Sequence, residues 1–501
     1  MKKKKEILVI VGSLLVIILS VTLAYFTVQI IGKGKDISLD SANLKITFAS
    51  GGGNISSTNI EPGWSSGTST FTVKNESKDT YKYNIIIKDL INTFVTKGFL
   101  LYKITSTDGG YNMSDFVDVP KSTSATDTIL AYSVEIAKGV THTYTVEFKY
   151  LTSEEDQSDD MGRILSGTLY IEKGTVQPTL AEKLMEDNPT IQTRSSFSAV
   201  FTTTNTGTLY KATESIAEGT AKDVYYFAGD AKNNWVKFGD FYWRIIRTNH
   251  DGSIRMLYSG TSTDTTRGYI GGSKFNSSCA NPKYVGYMYG TGGSLSESRI
   301  NSNDSTIKTY IDNWYSTNLS SYTKYISTEA VYCNDRQLDS GQSWTFTTSP
   351  SSQMNYITYT RLDYNTKGAK ANPTYDCANI KDAFSGSNSE AKLTYPIGLM
   401  TADEVVFAGG KAFNNAPAYY YLNSTGGSIT GSTYWWSLSP MYWDGHRSFV
   451  WNVNGSSYPG YLGGSRVNGS VGARPAISIK GDALWSSGNG SSSSPYEIVY
   501  N

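Results

Sequence analysis

The sequence predicts a multidomain, mostly β protein. An N-terminal membrane-type helix comes first, then an all-β sandwich, and then a larger α+β domain behind a short linker. Three observations predict this. Residues 7–31 form one long apolar run behind four lysines. Residues 35–174 alternate short apolar runs with Gly, Ser, Asn and Asp. From about 221 the β signals continue, but a few clean helix signals interrupt them. The implied boundaries are 1–34, 35–174, 175–220 for the linker and 221–501 for the last domain.

Composition narrows the functional classes. Lys+Arg and Asp+Glu are 44 each, so the formal net charge is zero, and charged residues are only 18% of the 501. Such a chain lacks the basic stripe that nucleic-acid binding requires. Aromatic residues are 13%, with 37 tyrosines, which argues against disorder over most of the length. Tyrosine supplies contact area at low entropic cost and suits recognition surfaces. Three cysteines and three histidines leave little material for a metal centre or a thiol active site. The composition points to a non-enzymatic binding or assembly protein.

At the N-terminus, Lys2–Lys5 precede the apolar run Ile7–Thr27, which continues loosely to Ile31. At about 1.5 Å per residue this run spans the roughly 30 Å hydrocarbon core of a bilayer. The lysines hold their end in the cytoplasm and direct the remainder outward. The expected location is therefore extracellular, at the cell surface. The ending Leu23-Ala24-Tyr25-Phe26-Thr27 resembles the signal peptides of the TasA and camelysin proteins of Gram-positive-type bacteria, which a SipW-type peptidase processes. Cleavage near Ala24–Thr27 and retention as a membrane anchor both remain open.

In the second segment, Leu44–Phe48, Phe71–Val73, Tyr83–Ile87, Tyr144–Phe148 and Leu169–Ile171 read as strands separated by turn signals, the pattern of a β-sandwich. Their order resembles the TasA/camelysin domain, a jelly-roll-like sandwich. Asn43-Leu44-Lys45-Ile46, Ile60-Glu61-Pro62-Gly63 and Phe71–Asn75 match its opening. Gly139–Tyr144 and Gly167–Ile171 match its end. The resemblance implies a stalk or self-assembly module. Camelysin was named as a metalloprotease, but this chain has no H-E-x-x-H, and the lone His142 reads as a polar surface residue.

The linker carries one amphipathic helix, capped by Thr179 and stopped before Pro189. Beyond it, Gly239–Arg247 reads as a turn and a strongly β-favouring strand. Ile307, Tyr310, Ile311, Trp314 and Tyr315 form an apolar helical stripe behind the caps Asp304 and Ser305. Thr401 and Glu404 form a capping box, and Gly409-Gly410 closes that helix. Trp243–Ile246, the 305–319 helix, Gly398–Val405, Trp435-Trp436-Ser437-Leu438-Ser439-Pro440 and Gly472-Ala473-Arg474-Pro475-Ala476 occur in that order. The series resembles a C-type-lectin-like domain of bacterial surface proteins. That fold is shared with the formylglycine-generating enzyme and with variable proteins diversified by retroelements. Formylglycine-type oxidation needs a late cysteine pair, and no cysteine follows Cys377, so the enzymatic activity does not carry over.

Candidate sites follow from these readings. Between the Trp-Trp and Arg-Pro motifs, Tyr442, Trp443, Asp444, His446, Arg447, Tyr458, Tyr461, Arg466 and Asn468 mix aromatic anchors with adaptable polar groups. In the diversified relatives the corresponding late segment is the variable ligand-binding face. These nine are expected to be exposed on one side, with Trp435, Trp436, Phe449 and Val453 buried beneath. Arg474 is expected to be structural, satisfying carbonyls or a carboxylate from a direction fixed by Pro475. Cys333 and Cys377, in similar polar turn settings, are favoured as a disulfide over three free thiols. The acidic run Glu154–Asp160 either binds Ca²⁺ or is a solvated loop; no other cofactor is expected.

The sequence therefore reads as a bacterial surface protein whose lectin-like head binds an extracellular protein or glycan. The partner would otherwise be the membrane, through the N-terminal helix, or further copies of the sandwich. A structural fibre subunit of TasA type and an enzyme of the formylglycine-generating fold are the alternatives.

Overall fold

The computed structural model describes residues 37–39, 44–48 and 60–500, apart from 78, 155, 175–176, 198–203, 266, 364–370, 417–432, 456–457 and 459. The expected membrane helix and its cleavage point lie outside the described residues. Among the described residues, no helix is long and apolar enough to cross a membrane. The chain is dominated by strands and divides into two compact units, 1–177 and 178–501.

The first unit consists of two sheets around one core. Its strands are β1 (Ile37–Leu39), β2 (Leu44–Phe48), β3 (Ser65–Asn75), β4 (Tyr81–Asn92), β5 (Leu100–Ser106), β6 (Val117–Asp118), β7 (Ser122–Ile136), β8 (Thr141–Tyr150) and β9 (Leu165–Lys173). The first sheet runs β1-β2-β3-β8-β5-β6 and the second β7-β4-β9. Strict alternation on β8 turns His142, Tyr144, Val146, Phe148 and Tyr150 inward, where they meet Ile85, Ile87 and Ile171 of the second sheet. His142 is therefore buried and not a surface residue, because it shares the parity of the core residues that follow it. Its Nδ1 lies 2.8 Å from the Tyr83 hydroxyl, which in turn lies 2.5 Å from the Tyr144 hydroxyl. Burial lowers the His142 pKa, and Asp108 opposes that shift.

The acidic run of this unit has a structural element in it. Asp160 turns inward and accepts the Val95 and Thr96 amides at 2.7 and 3.2 Å and the Tyr150 hydroxyl at 3.0 Å. Asp156 accepts the Ser158 amide in a local turn.

The second unit begins earlier than the sequence indicated. The stretch read as a linker supplies the helix Leu180–Asp187, with a complete Thr179/Glu182 capping box, and the strand Thr208–Glu214, which lies inside the main sheet. Leu180 and Leu184 are buried in the large core. That sheet has eight strands. From one edge they are Thr190–Thr193, Thr208–Glu214, Lys222–Tyr226, Phe241–Thr248, Ile254–Tyr258, Pro475–Ile479 and Ile397–Leu399, with Trp235–Phe238 paired to Phe241–Thr248. Gly239 and Asp240 take φ of 60° and 63°, the left-handed pair of a two-residue hairpin that turns Phe238 onto Phe241. Ser305 caps the helix Thr306–Asn318, and Thr401 with Glu404 boxes Ala402–Ala408. The latter helix ends at Gly409, whose φ of 116° only glycine adopts without strain. Cys333 and Cys377 are joined in a disulfide, and Cys279 is free.

Candidate functional site

The late residues form a second, seven-stranded sheet. Its order is Gly271–Lys274, Ser470–Ala473, Trp435–Trp443, Ser448–Val453, Tyr461–Arg466 and Lys411–Ala412, with Met354–Asn355 beside Trp443 and Tyr442. Trp435 and Trp436 are buried, and the Trp436 indole donates to the Ser273 carbonyl at 2.8 Å. Arg474 is buried beneath this layer. Its Nε donates to the Tyr258 carbonyl at 2.8 Å and its Nη2 to the Ser259 hydroxyl, with the guanidinium over the Trp435 ring. The arginine thus ties the end of one sheet to the beginning of the other.

A turn at Asp444–Arg447 joins the two central strands. Asp444 accepts the His446 and Arg447 amides at 2.9 and 2.6 Å and the Arg447 guanidinium at 2.9 Å. Partial burial alone would raise its pKa, but these donors hold the carboxyl below its ordinary value. Gly445 packs against the 349–350 backbone so closely that a Cβ would lie 2.0 Å from the Ser349 carbonyl oxygen.

Beside this turn the outer face carries a run of rings. Tyr442 stacks on its cross-strand partner Phe449 at 4.5 Å, and Phe449 neighbours Arg466 on the next strand. Tyr359 lies 5.7 Å from Tyr442 and 5.9 Å from Phe413; Phe413 lies 6.5 Å from Tyr461, which is 6.0 Å from Tyr458. Trp451 lies buried beneath, 5.3 Å from Phe413. Burial, then Asp444 and Tyr359, push the Tyr442 hydroxyl up, while Arg447 and Arg466 pull it down. Tyr442 therefore feels the turn and the neighbouring strand together.

The nine expected face residues divide as follows. His446, Tyr458, Arg466 and Asn468 are exposed, and Tyr442, Asp444, Arg447 and Tyr461 are half-buried. Trp443 is the exception: it is fully buried in the large core, and its indole N–H meets no acceptor. Adjacent residues on a strand face opposite sides, so Tyr442 and Trp443 cannot both be outside. A bulge between Pro440 and Tyr442 sets which is which. Phe449, expected in the core, is half-buried under Tyr442. Sequence reading missed Tyr359 and Phe413 because they come from the helix Ile357–Leu362 and from the turn after Lys411–Ala412, far from the late segment.

Beneath the site the unit contains buried ion pairs that the sequence did not reveal. Glu404, besides capping its helix, accepts Arg247 Nε at 2.9 Å and Arg255 Nη1 at 2.8 Å. Arg247 also donates to Glu214 at 2.8 Å. Arg361 bridges Asp403 at 2.8 Å and Asp335 at 2.7 Å, and these groups line a small enclosed polar cavity with Thr374, Tyr375 and Ser439. Burial would raise the Glu214 pKa, but Arg247 overrides it and holds the carboxyl well below the usual range. Glu214, Glu404, Asp335 and Asp403 are each paired with arginine, so the cluster crosslinks the fold; Glu214 also accepts the His250 amide at 2.6 Å, and Asp376, at the cavity wall, accepts the Ser215 amide and hydroxyl at 2.8 Å. Among the described residues, no group of three or more His, Cys, Asp or Glu is placed to hold a metal ion.

No family model matches the chain, and no curated protein matches it.

Proposed function

We propose that this chain is a non-enzymatic, exported bacterial surface protein whose second unit binds an extracellular ligand through the late sheet. The observation that carries the reading is the continuous run Phe449–Tyr442–Tyr359–Phe413–Tyr461–Tyr458, half-buried to exposed, flanked by Arg447 and Arg466. Rigid aromatic rings anchored over a buried Trp451, with arginines at one end, are what recognition hot spots are made of. The reading keeps the C-type-lectin-like fold for this unit and the TasA-like, jelly-roll sandwich for the first. In it the sandwich is the stalk, and the N-terminal apolar segment provides export or anchorage.

The test displays the full chain on cells and measures adhesion to surfaces coated with matrix proteins or mucin. Tyr442→Ala, Tyr458→Ala and Tyr461→Ala together should reduce adhesion at least tenfold while the second unit stays folded: exposed Tyr458 costs within about 0.5 kcal/mol, and half-buried Tyr442 and Tyr461 give up ring contacts of about 0.5–1.5 kcal/mol each. Unchanged adhesion of the triple variant removes the face. Filaments that form without any adhesion would favour the fibre subunit instead. Protease added to intact cells should digest both units; protection of both overturns the export reading.

A further inference from the structure

The exposed apolar side chains of the first unit gather at one end of its sandwich. Val95, Leu151, Met161 and Ile164 are 43, 36, 46 and 47% exposed. Backbone contacts tie them together. The Thr93 amide donates to the Ile164 carbonyl, the Val95 amide to Asp160 beside Met161, and the Leu151 amide to the Phe99 carbonyl. Trp64 joins them, half-buried, its carbonyl accepting the Tyr150 amide at 2.9 Å. The charged rim is of mixed sign: Lys97, Lys121 and Arg163 stand among Glu154, Asp156 and Asp159, with Lys121 bonded to the Val95 carbonyl and Arg163 to that of Asp159.

The chain enters the unit from this end and leaves it at the other. β1 and β3 are both antiparallel to β2, and β3 starts at Ser65 opposite Lys149, so the residues before Ile37 approach from the Leu151 side. β9 instead finishes with Lys173 beside Tyr83, at the end where β7 turns into β8, and the Gly174 amide bonds the Lys82 carbonyl there. Ile37 lies level with Val73 and His142, and the seven positions from His142 to Lys149 span about 23 Å. Ile37 is six positions from Ile31, where the apolar run ends, a connection of at most about 20 Å. A tether no longer than the distance from its attachment to the end of the unit draws that end onto the surface from which the tether emerges.

We propose that this end of the sandwich is a membrane-docking surface, seated in the interfacial layer of the bilayer that holds the chain's own N-terminal segment. The proposal rests on reading residues 7–31 as a retained anchor. Exposed aliphatic side chains beside a tryptophan are the composition that settles at the headgroup boundary, and a rim of mixed charge selects no anionic lipid. A patch of this kind on an otherwise polar surface marks an interaction site, and the short tether presents the bilayer to it in every copy.

The experiment reconstitutes the full chain into phosphatidylcholine vesicles that carry a quencher at headgroup level. An environment-sensitive dye is placed at Met161→Cys or, in the exposed turn at the opposite end, at Lys138→Cys, each in a Cys279→Ser background. The dye at 161 should shift to the blue and be quenched at least threefold more than the dye at 138, and high salt should not reverse this. Equal quenching at the two positions, or none at 161 in chains that resist carbonate extraction, overturns the proposal and leaves the anchor reading standing. Chains that are extracted remove the anchor reading and the docking with it. A blue shift that grows with the number of chains per vesicle, without quenching by lipid, marks an interface between copies and overturns the proposal. Val95→Asp with Ile164→Asp should reduce quenching at 161 at least threefold, and undiminished quenching overturns it. The comparison of 161 with 138 decides the matter should the double variant lose its fold.

Discussion

The two units solve the same problem, burying a β-rich core, by different means. In the first, Asp160 is the one buried acid or base besides His142 among the described residues, and long antiparallel strands carry the pairing even between distant segments, β3 with β8 and β4 with β9; His142, Tyr83 and Tyr144 satisfy one another. In the second, Arg244, Arg247, Arg255, Arg299, Arg336 and Arg474 are all buried, alongside Glu214, Asp382, Asp403 and Glu404. The pairs join residues far apart in the chain, 157 positions in Arg247–Glu404 and 83 in Arg299–Asp382. Long strands fix their own register through many ladder bonds. Short elements gathered from distant segments do not, and there multidentate arginine–carboxylate contacts define the geometry.

That contrast can be broken most directly at Glu404. Glu404→Ala removes a helix cap and leaves Arg247 and Arg255 facing each other without their carboxylate. It should destabilise the second unit by about 3–5 kcal/mol, as breaking a buried pair does. Differential scanning calorimetry with limited proteolysis should show the second unit melting early and the first unchanged; a loss in the first unit instead would contradict the division.

Trp443→Ala should cost about as much as Trp436→Ala, roughly 3–5 kcal/mol each, because both rings are core. Denaturant melts decide this, and a neutral Trp443→Ala would return that residue to the surface. Arg474→Lys should lower stability by about 1–3 kcal/mol, since lysine cannot reach the Tyr258 carbonyl and the Ser259 hydroxyl with one fork. An unchanged melt with lost adhesion would instead place Arg474 in the binding site.

The smallest effect sharpens the comparison through pH. Glu214 in the second unit and Asp160 in the first both have carboxyl pKa values lowered on folding: burial opposes ionisation in each, but Arg247 overcomes it for Glu214 and the Thr96, Val95 and Tyr150 donors for Asp160. A lowered folded pKa means that stability is present above the unfolded value, about 4, and is lost as pH falls through the folded one. Melting between pH 6 and pH 3 should therefore fall in the wild type. Asp160→Asn should flatten only the first unit's dependence, and Glu214→Gln only the second's.

Several features were legible from the chain alone. The capping boxes at Thr179 and Thr401, the apolar stripe of the 306–318 helix and the Leu44–Phe48 strand are local signals, and each is found where those residues predict it. The strand Ser122–Ile136 was not legible. Its first residues, Ser-Thr-Ser-Ala-Thr-Asp, are polar and exposed, and they are extended because β4 offers a ladder along their length. The linker reading failed for a related reason: Thr208–Glu214 is weakly patterned, and its place is set by Lys222–Tyr226 beside it. For the candidate site, the sequence located the late strands and four residues that are exposed on them or in their turns, His446, Tyr458, Arg466 and Asn468.

What the sequence by itself determined is whatever depends on neighbours three or four residues away: caps, turns and helical stripes. Tertiary structure alone decided which of Tyr442 and Trp443 faces out, because a bulge sets the phase of that strand. It also decided that Tyr359 and Phe413 complete the aromatic run, and that Arg247, Arg255 and Glu404 meet. Side-chain direction follows from local backbone geometry, but a meeting of residues a hundred positions apart is fixed only when the whole core closes and leaves a buried charge no other partner.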